Sequence, residues 1–265
     1  MTATTLDTAA ARSRWEDWRA RRTAELSRPH GWLSLTGLHW LDTEPAAVAD
    51  LPGRWASAEG GVRVLAGAAD GLVADGAAVD GELFVPTPEG APGTLLEVGE
   101  RRVEVMQRSG LHALRVRDPH APALAAFTGV PVFDFDERWV LEATFTPFEQ
   151  VRDVVVDAVV EGLRHHQAGV GTIRFEVDGQ PQELLAYGAA DGLTVQFTDA
   201  TSGVSTTGTT RSLSVDAPGA DGRLVLDLNR TQNLPCAFTD HATCPLPPAE
   251  NRLRIAVDAG EKDPR

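Results

Sequence analysis

Cysteine is scarce: Cys236 and Cys244 are the two in 265 residues. A disulfide scaffold needs a dense, paired set, so that class is excluded and a reducing compartment fits better. Lysine is scarcer still, with Lys262 alone, and arginine carries the remaining positive charge. There is no Lys/Arg-rich run, and 38 acidic against 24 basic residues give a formal net charge of −14. Such a surface repels phosphate backbones and anionic headgroups, so nucleic acid and membranes are not expected partners. No stretch reaches the roughly 18 apolar residues of a spanning helix. Met1 to Ala11 is small and polar, without the basic start and apolar run of a secretory signal. The expectation is a cytoplasmic protein. A phosphate loop and a dinucleotide fingerprint are also missing, and Ser34, Ser212 and Ser214 lack a nucleophile-elbow context.

What is present points to β structure. Hydrophobic residues make up 42% of the chain, enough for one large β domain or two smaller ones. Gly 25 and Pro 17 exceed the usual combined share of about 12%, which implies many turns. After a tail over residues 1–12, expected to be disordered, Ser13 to Glu16 has the pattern of a capping box and predicts a helix over 13–28. Trp15, Trp18 and Leu26 share a face of it, and Pro29 stops it. Arg19, Arg21 and Arg22, among Glu16, Asp17 and Glu25, read as a solvated ion-paired face. The apolar Gly31–Leu41 segment fits either a buried strand or a packed turn-rich piece.

From Gly61 the alternation has period two: Val62 and Val64, Val103 and Val105, Leu114 and Val116. Asp-Gly pairs at 70–71, 75–76, 80–81, 178–179, 191–192 and 221–222 supply turns, because type I′ turns need positive φ at both central residues. The first three recur every five residues, a spacing that fits turns and not a calcium repeat. Strands are expected at 139–145, 151–160, 171–177, 182–187, 193–198, 211–215, 224–228 and 252–257, with 151–165 the segment most open to a helical reading. The fold class is mostly β, with antiparallel sheets packed as a sandwich or partly closed barrel and a short N-terminal helix. The region from 30 to 265 reads as one β-rich domain, with two packed halves meeting near 119–131.

Residues 227–251, Asp-Leu-Asn-Arg-Thr-Gln-Asn-Leu-Pro-Cys through Pro-Pro-Ala-Glu-Asn, followed by Ala259-Gly260-Glu261-Lys262, form a long motif. With Gly31–Leu35, Leu38, Trp40, Phe197, Asp199, Thr201, Gly203 and Arg211, it resembles the bacterial family called domain of unknown function 1684. The resemblance runs from Trp15 to Lys262 and implies no established activity. Three positions depart from the family's pattern: Thr206-Thr207 stands where a Thr-Tyr pair is usual, Leu228 where Phe is usual, and His241 where relatives vary. A mechanism needing a phenol at 207 or an imidazole at 241 is disfavoured.

Cys236, His241 and Cys244 have a spacing open to zinc, to a disulfide, to a Cys236 nucleophile or to two packing thiols. The packing reading is favoured, and neither metal nor cofactor is expected. His165-His166 reads as a solvated turn. The polar set of the motif offers two functional readings. In one, a small-molecule enzyme or ligand-binding protein uses Arg211, Asp227 and Glu261 for catalysis. Asp199, Asn229, Asn233 and Asn251 then hold a small-molecule ligand, and Arg211 clamps an acid bidentately beside Asp227 or Glu261. In the other, a non-catalytic structural or interaction protein uses the same residues to brace a long loop held stiff by Pro235, Pro245, Pro247 and Pro248.

Overall fold

The structure, a computed structural model, describes residues 8–265 and divides into two compact units. One comprises residues 24–128 with Thr239–Ala242, the other residues 8–23, Gly129–Phe238 and Thr243–Arg265. The main chain passes between them at Thr23–Ala24, Thr128–Gly129, Phe238–Thr239 and Ala242–Thr243, the second of these inside the Pro119–Pro131 stretch. No helix among the described residues is long and apolar enough to cross a membrane.

The first of these, the sandwich unit, holds ten strands. They are β1 (Leu35–Trp40), β2 (Ala46–Ala47), β3 (Arg54–Ala58), β4 (Gly61–Ala66), β5 (Leu72–Ala74), β6 (Ala77–Ala78), β7 (Gly81–Pro86), β8 (Thr94–Val98), β9 (Arg101–Arg108) and β10 (Leu111–Arg117). A six-stranded sheet runs β1-β10-β9-β8-β5-β6 and a four-stranded sheet runs β2-β3-β4-β7, antiparallel throughout. Period-two alternation places Val62 and Val64 of one sheet and Val103, Val105, Leu114 and Val116 of the other around Trp55 in a shared apolar core. The Asp75-Gly76 turn has the expected positive φ at both positions, 48° and 79°. Gly31–Leu41 combines both expected forms, a 3₁₀ turn at Trp32–Ser34 leading into β1.

The second, the single-sheet unit, holds β11 (Val140–Asp157), β12 (Arg164–Val177), β13 (Gln180–Ala189), β14 (Gly192–Phe197), β15 (Arg211–Asp216), β16 (Arg223–Asp227) and β17 (Gln232–Asn233). They form one antiparallel sheet in the order β16-β11-β12-β13-β14-β15-β17, whose end strands do not pair, so no barrel closes. One face carries the core: Ile173, Phe175, Leu184, Ala186, Val195, Phe197, Leu213, Val215 and Leu226. The segment 151–165 is strand through Asp157 and resumes in β12 at Arg164, so it is not helical.

The helix α1 spans Thr8–Leu26, so residues 8–12 are helical where a disordered tail was expected; residues 1–7 lie outside the described residues. The run Ala9-Ala10-Ala11 has the highest helix propensity of any residue type and carries the helix past Ser13. Ala11 and Trp15 pack with Phe135 and Val140, and the Trp15 and Phe135 rings are 5.8 Å apart.

The tail 252–257 is not the expected strand. Leu253 and Val257 are buried and Arg252, Arg254 and Ala256 are exposed, the burial alternation of a strand. Pairing is limited to an isolated bridge between Thr198 and Arg252 and to single bonds, Leu253 N to Thr198 O at 2.8 Å and Ala200 N to Ile255 O at 3.0 Å. The chain bends at Arg254 and Ile255, and a segment that buries alternate residues reads like a strand in sequence whether or not it has a ladder partner.

Candidate functional site

The motif residues lie where β14, β15, β16 and β17 end and where the tail returns across the sheet. Arg211 opens β15 in the same phase as Leu213 and Val215, so strand alternation turns its side chain into the core. It lies opposite Phe197 on β14 and Asn233 on β17, with the guanidinium 5.4 Å from the Phe197 ring centre. Its charge is matched by Asp199, two residues beyond the end of β14, at 2.5 Å, and both side chains are 0% exposed. The sequence pointed to Asp227 or Glu261 as that acid. The structure gives the place to Asp199, because β14 is the adjacent strand and the turn after it brings the carboxylate back over β15.

This pair ties three segments together. Arg211 Nη1 also donates to the Val257 carbonyl at 3.1 Å, and Nη2 donates to the Ala259 carbonyl. The other Asp199 oxygen accepts from the Thr201 amide at 2.7 Å, the Thr201 hydroxyl at 2.6 Å and the Val257 amide at 3.3 Å. Burial pushes the Arg211 pKa down, and the negative charge and hydrogen bond of Asp199 oppose it, with Asp258 and Glu261 adding to the opposition.

Glu261 has a cation of its own, Arg22 on α1, at 2.9 Å. It also accepts from the Asn233 amide at 2.6 Å, and Arg22 reaches the Asn233 carbonyl at 2.8 Å. Arg22 is therefore not part of a solvated face; its side chain is 10% exposed. Gly260 makes this close approach possible. Its φ is 77°, and a β-carbon there would lie 2.4 Å from the Thr231 carbonyl oxygen.

Asp227 holds Arg230 at 3.2 Å and caps the turn after β16 by accepting from the Asn229 amide. The Asn229 side chain pairs with both backbone groups of Asp136, at 3.0 Å each. Asn251 does the same between strands. It accepts from Leu185 N at 2.7 Å and donates to Leu185 O and Gln196 O, both at 2.9 Å. The β13–β14 ladder runs only from Tyr187↔Thr194 to Ala189↔Gly192, so this amide completes the pairing where the strands part. The Asn233 amide group donates to Lys262 O at 2.8 Å.

All seven expected site residues are thus buried: Arg211, Asp227, Glu261, Asp199, Asn229, Asn233 and Asn251. They fall into four hydrogen-bonded groups, around Arg211 and Asp199, around Glu261 and Asn233, around Asp227 and Asn229, and around Asn251. Three atoms lack a hydrogen-bond partner, Arg211 Nε, Asp227 Oδ2 and Asn233 Oδ1. Three surface cavities of about 430, 520 and 560 Å³ open on the same unit, and none is lined by these seven residues. Arg22 and Asp136 are the participants that sequence reasoning missed. The first is 239 positions from its partner and the second 93, and no local pattern marks either. Cys236 and Cys244 are not joined in a disulfide, and no group of three or more His, Cys, Asp or Glu among the described residues is arranged to hold a metal ion.

Fold and network together define a β-rich protein whose C-terminal motif is an internal polar lattice. A family model described as "Protein of unknown function (DUF1684)" matches residues 125–262, just over half of the chain, and the chain belongs to that family. The match begins beside the boundary at Gly129, so the resemblance expected over Gly31–Trp40 lies outside it. No curated protein matches. Among solved structures, an uncharacterized protein of Haloarcula marismortui determined by solution NMR is 33% identical, with 52% of this chain and 78% of that chain covered and a TM-score of 0.43.

Proposed function

We propose that the C-terminal motif is a brace and that the chain acts as a non-catalytic structural or interaction protein. The observation that carries this reading is the Arg211–Asp199 pair, with both side chains fully buried and joined to Thr201, Val257 and Ala259. A catalytic acid or base needs hydrogen-bond reach to a substrate proton. In this pair both Asp199 oxygens and every Arg211 nitrogen but Nε are spent on the chain itself. The net charge of −14 favours a partner that is neither nucleic acid nor an anionic membrane.

A ligand-binding reading of the same motif rests on its buried atoms without a hydrogen-bond partner, Arg211 Nε, Asp227 Oδ2 and Asn233 Oδ1. Thermal melting of Arg211→Ala separates the two. A brace loses stability strongly, because removing one partner leaves the other charge buried and unpaired. A ligand clamp keeps its melting temperature, and an unchanged Tm would defeat the brace.

A further inference from the structure

The brace leaves Cys236 and Cys244 without a role. Cys236 lies half-buried in the turn Pro235–Ala237, and Cys244 is buried. The Cys236 amide donates to Cys244 Sγ at 3.3 Å. The two thiols are also within hydrogen-bonding reach of each other. Cys236 Sγ is also 3.4 Å from Thr209 Oγ1. The hydrogen bond with Cys244 is the largest influence on the Cys236 thiol. Burial opposes it, Thr209, the backbone amide and the charge of Arg265 assist it, and the pKa comes down to about 7. The thiolate is the nucleophile in thiol chemistry, and redox-responsive cysteines combine thiolate character, access and a resolving partner.

We propose that Cys236 and Cys244 form a reversible, hydroperoxide-responsive dithiol in which Cys236 is oxidised first and Cys244 resolves it. The Cys236 thiolate attacks the terminal oxygen of a hydroperoxide and displaces the alkoxide. An S–O bond forms, the O–O bond breaks, and the departing alkoxide takes up a proton as an alcohol (water, when the oxidant is hydrogen peroxide). Cys244 sulfur then attacks the sulfenic sulfur. The S–S bond forms and the S–O bond breaks, and the hydroxide leaves as water with the Cys244 proton. Overall, two thiols are oxidised and one hydroperoxide is reduced. A low-molecular-weight thiol reverses the change by two exchange steps and becomes a disulfide itself. The cross-link closes the loop over residues 237–243, a segment carrying Asp240 and His241 between its ends.

The test treats the full chain with one equivalent of hydrogen peroxide and follows free thiols and intact mass. The expected result is loss of both thiols and of two hydrogens in the monomer, restored by dithiothreitol. Cys244→Ser is expected to stop at a sulfenic acid on Cys236, captured by dimedone. In the untreated native protein, iodoacetamide is expected to label Cys236 before Cys244. Both thiols surviving, Cys244 reacting first, or a disulfide between two chains would each overturn the proposal.

Discussion

Arg115 and Arg211 are both buried on strands, and they are held in opposite ways. Arg115 on β10 alternates with Leu114 and Val116, so it faces away from the sandwich core. Its carboxylate, Glu104, is the cross-strand neighbour on β9, and Arg117 shares it at 2.6 Å beside the Trp32 ring. Arg211 shares its phase with Leu213 and Val215 and points into the core of its sheet. Its acid comes from a turn, and its other acceptors from a tail 46 and 48 positions later in the chain. A cross-strand pair reinforces pairing that the backbone already makes. The Arg211 cluster supplies what the tail lacks, since 252–257 has no ladder. The sandwich unit thus rests on apolar packing between sheets, whereas the single-sheet unit closes its core with a tail that adds polar bonds to the apolar packing of Leu253, Val257 and Ala259.

The largest expected effect is that of Arg211→Ala, about 3–5 kcal/mol in chemical denaturation, the cost of leaving a buried partner charge unpaired. Asp199→Leu in the same background should recover part of that loss, since removing both charges relieves the unpaired one. Leu114→Ala breaks the comparison from the other side. It empties space in the sandwich core at a cost of about 2–5 kcal/mol and should leave the amides of the tail protected.

Tyr187 offers a spectroscopic check within the single-sheet unit. It is the chain's one tyrosine, so its tyrosinate absorbance is unambiguous. Burial, with the nearby charge of Glu250, pushes its pKa up to about 12. The unfolded chain ionises first, near the ordinary value of about 10. The stabilising contribution is therefore intact below about pH 10 and is lost as pH rises towards 12. A native titration midpoint at the ordinary value would place the phenol in water. The smallest effect belongs to the exposed pair of Arg174 and Glu183, 2.6 Å apart on β12 and β13 with side chains 58% and 49% accessible. Arg174→Ala should cost at most about 1 kcal/mol, and less at high salt.

Much of this architecture was legible because alternation and turn chemistry are local. The pairs at 75–76 and 178–179 each have positive φ at both residues and close two-residue hairpins, as an Asp-Gly turn requires. The same alternation misread Arg252–Val257, because this segment buries alternate residues across bends at Arg254 and Ile255, without a ladder. The motif was legible as a set of residues and not as a set of pairs. Nothing in the neighbourhood of Arg211 says that its acid is Asp199 and not Asp227 or Glu261; that follows from the order β14-β15-β17. Arg22 was hidden for a related reason: among Glu16, Asp17 and Glu25 it has the context of a solvent-facing helix, and its partner is at the far end of the chain.

The brace is tested most directly by amide hydrogen exchange on the wild-type chain and on Arg211→Met. This variant keeps side-chain bulk and removes the charge that gathers Asp199, Val257 and Ala259. The amides of Val257, Glu261 and Lys262, which donate to Asp199, Thr231 and Pro131, should lose protection by about a hundredfold, the factor equivalent to nearly 3 kcal/mol. Amides in β9 and β10 should be unchanged. Tail protection equal to that of the wild type would contradict the account.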